Sequence, residues 1–374
     1  MDLIAGFGQY ALSFLVVFTA IVFVHELGHY VVARMNGVRV EVFSIGFGRE
    51  LHGWNDRRGT RWKLSLIPLG GYVKMFGDRN VASVGSQPLT PAERRVAFAT
   101  KPIWRRATVV VAGPVANFLF GIALFAGLFV VSGEPFSPPD IGAVQPGSPA
   151  AAAGIEAGDR VVSIDGGRIE RFEDIRLIVQ MALHEQLEIT VLRGGRELTL
   201  TALPRIVQLE DRLGNRYEVG RLGVESGGPV YVRHDPATAL WRGAVTAWSQ
   251  IGVAAKGIGQ MIDGTRAAKE IGGPLRIAWM SGEIAQVSLV AAVNFMALLS
   301  IHLGLINLAP VPLLDGGHLL FYAAEAIRGK PLGERAQEYG IRIGLALVLL
   351  LFVFATWNDL LHLKVVQFIQ DLIT

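Results

Sequence analysis

Four long stretches of the chain are apolar and nearly free of charge, and between the second and third the pattern changes to short alternating segments. The first run is Ile4 to Val24, with helical spacing continuing through Arg34. The second is Ala107 to Val131, the third lies at about Val287 to Leu308, and the fourth at roughly Ile341 to Ala355. Each reads as a membrane-spanning helix, since about 20 apolar residues at 1.5 Å per residue cross a hydrocarbon core of ~30 Å. Between the first two runs, Val38 to Phe47 and Trp62 to Phe76 alternate and are rich in β-branched and aromatic residues, punctuated by Gly46, Gly48, Gly70 and Gly71. That pattern predicts paired strands. The segment Trp62 to Val73 is too apolar for a plain loop, so a β-hairpin dipping into the membrane is expected, with an ordinary packed hairpin as the alternative.

The second run contains Ala112-Gly113-Pro114-Val115-Ala116-Asn117-Phe118. Its small residues permit close helix packing, Pro114 suggests a kink, and the Asn117 amide needs a partner inside the bundle. A Pro/Gly/Ser-rich linker, Ser132 to Pro139, follows, and beyond it the composition is that of a soluble domain. Strand-like Ile141 to Val144, helix-like Phe172 to Ala182, and a hairpin of Leu187 to Leu192 with Glu197 to Leu203 predict a small α/β fold. With its Gly147-Ser148-Pro149-Ala150-Ala151, Gly158-Asp159-Arg160-Val161 and Ile164-Asp165-Gly166 motifs, the stretch 138–204 resembles a PDZ domain of the circularly permuted bacterial kind. Such domains accept a chain terminus or an extended peptide at a sheet edge.

Residues 205–286 are expected to form a connector on the same side of the membrane. Within it, Ala237 to Ile262 has helical spacing, with Trp241, Val245, Trp248, Ile251 and Ala255 on one stripe suited to a membrane surface or to packing against the α/β domain. A Gly-rich link, Ile271-Gly272-Gly273-Pro274, precedes the third run, and the tail from Asp359 to Ile373 is expected to extend the last run or dock beside it. The expected fold is a multi-pass α-helical membrane protein with four transmembrane helices, a membrane-associated β-segment and an inserted α/β PDZ-like domain. The first helix falls within 1–36, the β-segment within 37–106, the second helix at 107–131, the inserted domain at 138–204, and the third and fourth helices within 287–374.

The 374 residues are 51% hydrophobic and 18% charged, with a mean hydropathy of +0.40. Soluble domains are about a quarter charged, so this composition fits membrane segments plus at least one aqueous domain. Cysteine is absent, which excludes disulfides and thiolate sites and leaves nitrogen and oxygen ligands for any metal. Net charge is only +3, yet from Arg34 to Arg106 basic residues far outnumber acidic ones. A nucleic-acid surface is the competing reading, but the flanking apolar runs favour the positive-inside rule and no nucleic-acid partner. That rule puts this segment in the cytoplasm, with both termini and the inserted domain outside; Arg328, Lys330 and Arg335 suit a second cytoplasmic loop. The first run lacks a basic leader and an Ala-x-Ala cleavage site, so it is expected to be retained as a span.

At the end of that first run stands His25-Glu26-Leu27-Gly28-His29. On a continuous helix His25 and His29 lie one turn apart on one face, where two imidazoles can bind one metal ion, and Glu26 lies about 100° round, beside the ion. A carboxylate there can take a proton from a water that the ion polarises. Charged groups cost roughly 2.5–3.5 kcal/mol each at the centre of a membrane helix and usually mark function; snorkelling interfacial residues are the alternative. A catalytic zinc site typically has three protein ligands and one open position. The third is expected from Asp315, in Asn307-Leu308-Ala309-Pro310-Val311-Pro312-Leu313-Leu314-Asp315-Gly316-Gly317-His318, with His302 and His318 as rivals.

Together, the His25 to His29 motif, Gly70-Gly71-Tyr72, Ala112-Gly113-Pro114, the PDZ-like insertion and the Asn307 to Gly316 stretch resemble the site-2 protease family of intramembrane zinc metalloproteases. The resemblance covers nearly the whole chain and is strongest to the bacterial regulator-of-sigma-E branch, in a single-PDZ form where many relatives carry two PDZ domains. It implies Zn2+ held by His25, His29 and Asp315, Glu26 as general base, and substrate contacts from Asn307, Pro310 and Pro312 and from Gly70, Gly71 and Tyr72. It also implies regulated intramembrane proteolysis in a bacterial inner membrane, with the active site near the cytoplasmic face. The substrate would be a single-span membrane protein, such as an anti-sigma factor already trimmed by another protease. The PDZ-like domain would meet its new peptide terminus or exclude a bulky ectodomain. Clearance of remnant signal peptides uses the same chemistry and is an alternative. A membrane adaptor with a structural metal is another, which a fourth protein ligand would favour.

Overall fold

The computed structural model describes residues 2–78, 89–210, 216–263 and 272–362. Its first elements are α1 (Asp2–Met35), β1 (Val40–Asn55), β2 (Arg61–Met75), α2 (Pro91–Val96) and α3 (Ile103–Val131). Then come β3 (Glu134–Phe136), β4 (Ile141–Val144), α4 (Pro149–Ala152), β5 (Arg160–Ile164), β6 (Gly167–Arg168), α5 (Phe172–Met181), β7 (Leu187–Arg193), β8 (Arg196–Ala202), β9 (Arg205–Glu210), β10 (Arg216–Arg221), β11 (Val224–Ser226) and β12 (Val230–Val232). The chain closes with α6 (Pro236–Ile262), α7 (Pro274–Val287), α8 (Leu289–Asn307), α9 (Asp315–Arg328) and α10 (Glu334–His362). Two compact units result, one of Met1–Gly127, Leu240–Ile258 and Ala268–Thr374, the other of Leu128–Ala239 and Gly259–Ala267.

Among the described residues, four helices are long and apolar enough to cross a membrane: Gly8–Met35, Ile103–Val131, Leu289–Asn307 and Arg335–Leu360. Their apolar side chains face outward along most of their length, as in Leu12, Val16, Leu119, Leu350 and Val353, because lipid is the solvent there. α1 and α3 approach closely through small residues. A Cβ on Gly28 would lie 2.7 Å from the Ala116 methyl, so nothing larger than hydrogen fits.

The region between α1 and α3 is a bent sheet. Arg61 to Leu64 pairs with His52 to Asn55 and also with Val42 to Ile45, which in turn pairs with Gly71 to Lys74. Four ribs therefore lie side by side in the order 71–75, 40–45, 61–65, 50–55. The bends fall at Gly46, Gly48 and Gly70, whose φ values of 87°, 86° and 112° suit glycine. The first strand runs to Asn55, eight residues past its expected end at Phe47, because the Asp56 turn closes it. The Asp56 carboxylate accepts from the Arg58 and Thr60 amides at 2.8 and 2.9 Å, and from the Tyr30 hydroxyl of α1 at 2.9 Å.

α7 was not evident in the sequence, where a link was expected. Its N-terminus is capped by the buried Asp359 of α10, which accepts from the Gly273 and Arg276 amides at 2.9 and 3.0 Å. Its Gly282 leaves room for the Tyr10 ring of α1, and the Tyr10 hydroxyl donates to Glu283 at 2.5 Å. Ile271 of the expected link and residues 363–373 of the expected tail lie outside the described residues. On α6, Gly243 packs against the Ile122 carbonyl of α3, while Trp241, Val245 and Trp248 of the expected stripe are exposed.

The second unit is built on a four-stranded sheet, β6-β5-β7-β8. Alternating inward residues such as Val161, Ile189 and Val191 pack with Ile175 and Val179 of α5 into one core. This unit reaches beyond 138–204 at both ends. Leu222 is part of the core, β11 pairs with β4, and β12 pairs with β3, so the connector supplies strands that would otherwise leave open edges. Asp159, fully buried, accepts from Arg193 at 2.6 and 2.7 Å and from the Glu156 amide at 2.8 Å.

Burial pushes the Asp159 carboxyl up, but the Arg193 guanidinium and the Glu156 amide outweigh it and hold it below the usual carboxylate range. A folded value below the unfolded one means stability that is present above a pH of about 4 and lost as the pH falls through the depressed folded value. Arg193→Met leaves the buried carboxylate unpaired and is expected to destabilise the unit by roughly 3 kcal/mol at neutral pH. Hydrogen exchange of the β5 and β7 amides in the full chain, taken relative to the intrinsic rate at each pH, measures both effects, as smaller protection factors in the variant and in the native chain in acid.

Candidate metal centre

The His25 to His29 turn of α1 presents both imidazoles to one point, because residues four apart share a helix face. Their Nε2 atoms are 3.2 Å apart, and the Asp315 Oδ2 lies 3.2 Å from the first and 3.5 Å from the second. Among the described residues this is the set of ligand-type atoms that gathers within 4.8 Å; His302 and His318 are not in it. Ligands held at about 2.0–2.1 Å around a tetrahedral zinc ion lie about 3.3 Å from one another, so the spacing suits that ion. The donor set of two imidazoles and a carboxylate suits it as well. Asp315 Oδ2 is buried without a hydrogen-bond donor, which is the condition of an atom that a cation would satisfy.

Each ligand-type side chain is oriented from behind. The His29 Nδ1 meets the Val109 carbonyl of α3 at 2.9 Å, so that nitrogen carries the hydrogen and Nε2 is left as a lone-pair donor. The His25 Nδ1 meets the Asn117 carboxamide at 3.2 Å. Asn117 is fully buried, and its backbone carbonyl accepts from the Ser300 hydroxyl of α8 at 2.9 Å. The amide nitrogen faces the ring and Oδ1 has no partner; turning the amide over gives His25 Nδ1–H an acceptor. Gly113 lies one turn before Asn117, against both imidazoles, and a Cβ there would come within 2.8 Å of His25 Cε1 and overlap the His29 ring. Asp315 opens α9, whose position against α3 is fixed by the buried Glu325, accepting from Arg106 at 2.7 Å.

Glu26 stands beside this cluster, against the bent sheet. A Cβ on Gly71 would lie 3.3 Å from Glu26 Cγ, and the Val73 backbone amide is within its reach. Gly70 lies under the Phe47 ring, which stacks with Tyr72 at 6.0 Å between centroids. The structure therefore brings His25, His29, Asp315 and Glu26 together and sets Gly71 next to them, with Tyr72 following on the same rib and Gly70 at the bend before it. Asn307 ends α8, and Pro310 and Pro312 lie on the segment leading into Asp315. The supporting contacts of Val109 and Ser300 are marked by no motif in the sequence. Asn117 is marked there as a polar group in need of a partner, and its spacing of four residues from Gly113 signals that both face α1.

Comparison with known proteins places these residues in context. The family model described as peptidase family M50 matches residues 13–351. A Rhizobium meliloti protein named as a zinc metalloprotease is 43% identical over 369 residues, covering 96% of this chain and 99% of its own. The metalloprotease MmpA of Caulobacter vibrioides is 39% identical over 396 residues, covering 99% of this chain and all of its own. Among solved structures, the PDZ domain of the SdrC-like protein from Listeria monocytogenes aligns with 24% of this chain and 88% of its own, at 16% identity and a TM-score of 0.19.

Asn117→Leu removes the group behind His25 while keeping the volume. It is expected to weaken zinc binding by about 10–100-fold, the usual effect of losing an outer partner of a ligating histidine. Competition against a chromophoric chelator in detergent measures it, and an unchanged affinity would contradict the orienting role.

Proposed function

The chain belongs to peptidase family M50 and is a zinc metalloprotease, and we propose on that premise that it hydrolyses peptide bonds in or beside the transmembrane segments of single-span membrane proteins. The observation that carries the reading is the placement of Glu26 and Gly71 next to His25, His29 and Asp315, in a unit whose helices are of membrane-spanning length. His25, His29 and Asp315 are the zinc ligands. Three protein ligands leave a coordination position for chemistry, and among the described residues neither His302 nor His318 joins the set as the fourth ligand of a closed structural site.

Zinc bound there supplies Lewis-acid polarisation of water and of the scissile carbonyl. The remaining work belongs to the chain. Glu26 takes the proton of the attacking water and delivers it to the leaving amine, acting as general base and then general acid. A transmembrane substrate must first unwind, because its carbonyls are bonded within a helix, and the freed backbone groups then need partners. The rib 71–75 beside Glu26 offers strand donors and acceptors to such an extended segment, and Asn307 with the Pro310 to Pro312 segment borders it from the Asp315 side. Val109, Asn117 and Gly113 keep the imidazoles aimed.

The excess of basic residues between Arg34 and Arg106 supports a cytoplasmic position for the bent sheet, with the second unit and the termini on the outer side of a bacterial inner membrane. The second unit, read as a PDZ-like domain, would then meet the newly made terminus of a substrate trimmed outside, an anti-sigma factor being the regulator that the family resemblance suggests. Replacing Glu26 with Gln keeps the shape and removes the base. Cleavage of a single-span substrate in detergent is expected to fall by at least about a hundredfold while zinc content is retained; undiminished cleavage would sink the assignment.

A further inference from the structure

Along α10, from residue 335 to residue 354, one residue is buried, and it is Gly344. A Cβ on Gly344 would fall onto the Pro312 carbonyl oxygen and come within 3.0 Å of the Pro312 side chain. From the other side, the first turn of α9 presses on the same segment. A Cβ on Gly317 would lie 2.6 Å from Pro312 Cα, and one on Gly316 would overlap the carbonyls of Leu308 and Ala309. Pro312 is thus gripped between a bare patch of α10 and a bare patch of α9.

The residue that follows carries strain. Leu313 has φ of 111°, a conformation that L side chains rarely adopt and that persists only where the surroundings over-determine it. Two residues further on is Asp315. We propose that Gly344 is a positioning residue for Asp315: α10 holds Pro312 in place, the grip keeps Leu313 in its strained turn, and the turn aims the carboxylate at His25 and His29. Ligand distances at a zinc site tolerate about 0.2 Å, whereas the smallest side chain at 344 would push the segment by several times that amount. The inference rests on the reading of Asp315 as a ligand.

The test is zinc affinity, by chelator competition on the full chain in detergent, with thermal unfolding recorded beside it. Gly344→Ala is expected to lower the affinity of the folded chain by about tenfold or more and, because the clash is with backbone, to lower the unfolding temperature as well. Gly340→Ala is the control, because the atoms nearest its Cβ belong to the movable Phe321 ring of α9; it is expected to bind zinc as the native chain does. Leu313→Gly adds no atom and makes a φ of 111° unstrained, so alone it is expected to bind zinc as the native chain does, and added to Gly344→Ala it is expected to recover most of the lost affinity, because a glycine at 313 lets Pro312 shift without carrying Asp315 along. Native affinity in Gly344→Ala, equal losses in Gly344→Ala and Gly340→Ala, or no recovery in the double variant each overturns the proposal; where Gly344→Ala alone does not fold, failure of the double variant to fold and bind zinc does the same. Asp315→Ala separates the two readings. If it keeps native affinity, the ligand assignment has failed; if it loses zinc while Gly344→Ala does not, only the positioning role has.

Discussion

A buried carboxylate oxygen without a hydrogen-bond donor, set against two imidazole nitrogens, is the constraint around which the membrane unit is arranged. In hydrocarbon such a group costs several kcal/mol unless something positive or donating reaches it. Four helices contribute to resolving that cost. α1 brings the imidazoles, α9 brings the carboxylate, α3 supplies the Val109 carbonyl and the Asn117 amide behind the rings, and α8 ties down Asn117 through Ser300. Asn117 and Ser300 are fully buried and the imidazoles nearly so, and these contacts fix the helices that carry them.

Bringing four helices to one point requires that they touch backbone to backbone. Lipid tails are as apolar as leucine, so packing in a membrane is won by close van der Waals fit, and small residues decide where it occurs. Gly28 against Ala116, Gly113 against the imidazoles, Gly121 against Ile301, and Gly304 against Phe118 mark the contacts of α1, α3 and α8. The same device recurs at Gly316, Gly317 and Gly344 around the segment that enters Asp315. Close approach and polar satisfaction are therefore one problem: an enlarged side chain at any of these positions separates a ligand-type group from its partner.

What was legible in the sequence was local. The spacing of His25 and His29 fixes their geometry on any helix, and the apolar runs fix the four helices of spanning length, since both depend on neighbours within a few turns. Asp315 was legible by its chemistry, as a carboxylate where none is tolerated without a reason. The features that were not legible depend on residues far apart in the chain. α7 owes its cap to Asp359, some 83 to 86 residues away, and its packing to Tyr10. The second unit closes through β4 with β11 and β3 with β12, pairings of strands of three or four residues, too short to carry a period. The doubled pairing of Arg61 to Leu64 turns an expected hairpin into four ribs, and it depends on where the glycines let the strands bend.

The bent sheet is held to α1 at three heights. The Thr19 hydroxyl donates to the Pro68 carbonyl at 3.3 Å, Gly71 lies against Glu26, and Tyr30 donates to Asp56 at 2.9 Å. Residues 19 to 30 span about 16 Å of helix, so the sheet can neither slide along α1 nor tilt away from it without breaking a contact. Glu26 therefore has a fixed place in the register of the rib 71–75. On the proposed reading, a substrate strand pairing with that rib arrives at Glu26 in a register set by backbone bonds, and slipping by one residue would exchange which face its side chains present. Selection of the scissile bond then depends on which part of the substrate helix unwinds most readily into a strand. Helix-weak residues such as glycine and proline near the bond favour that unwinding, and no pocket for one particular side chain is needed.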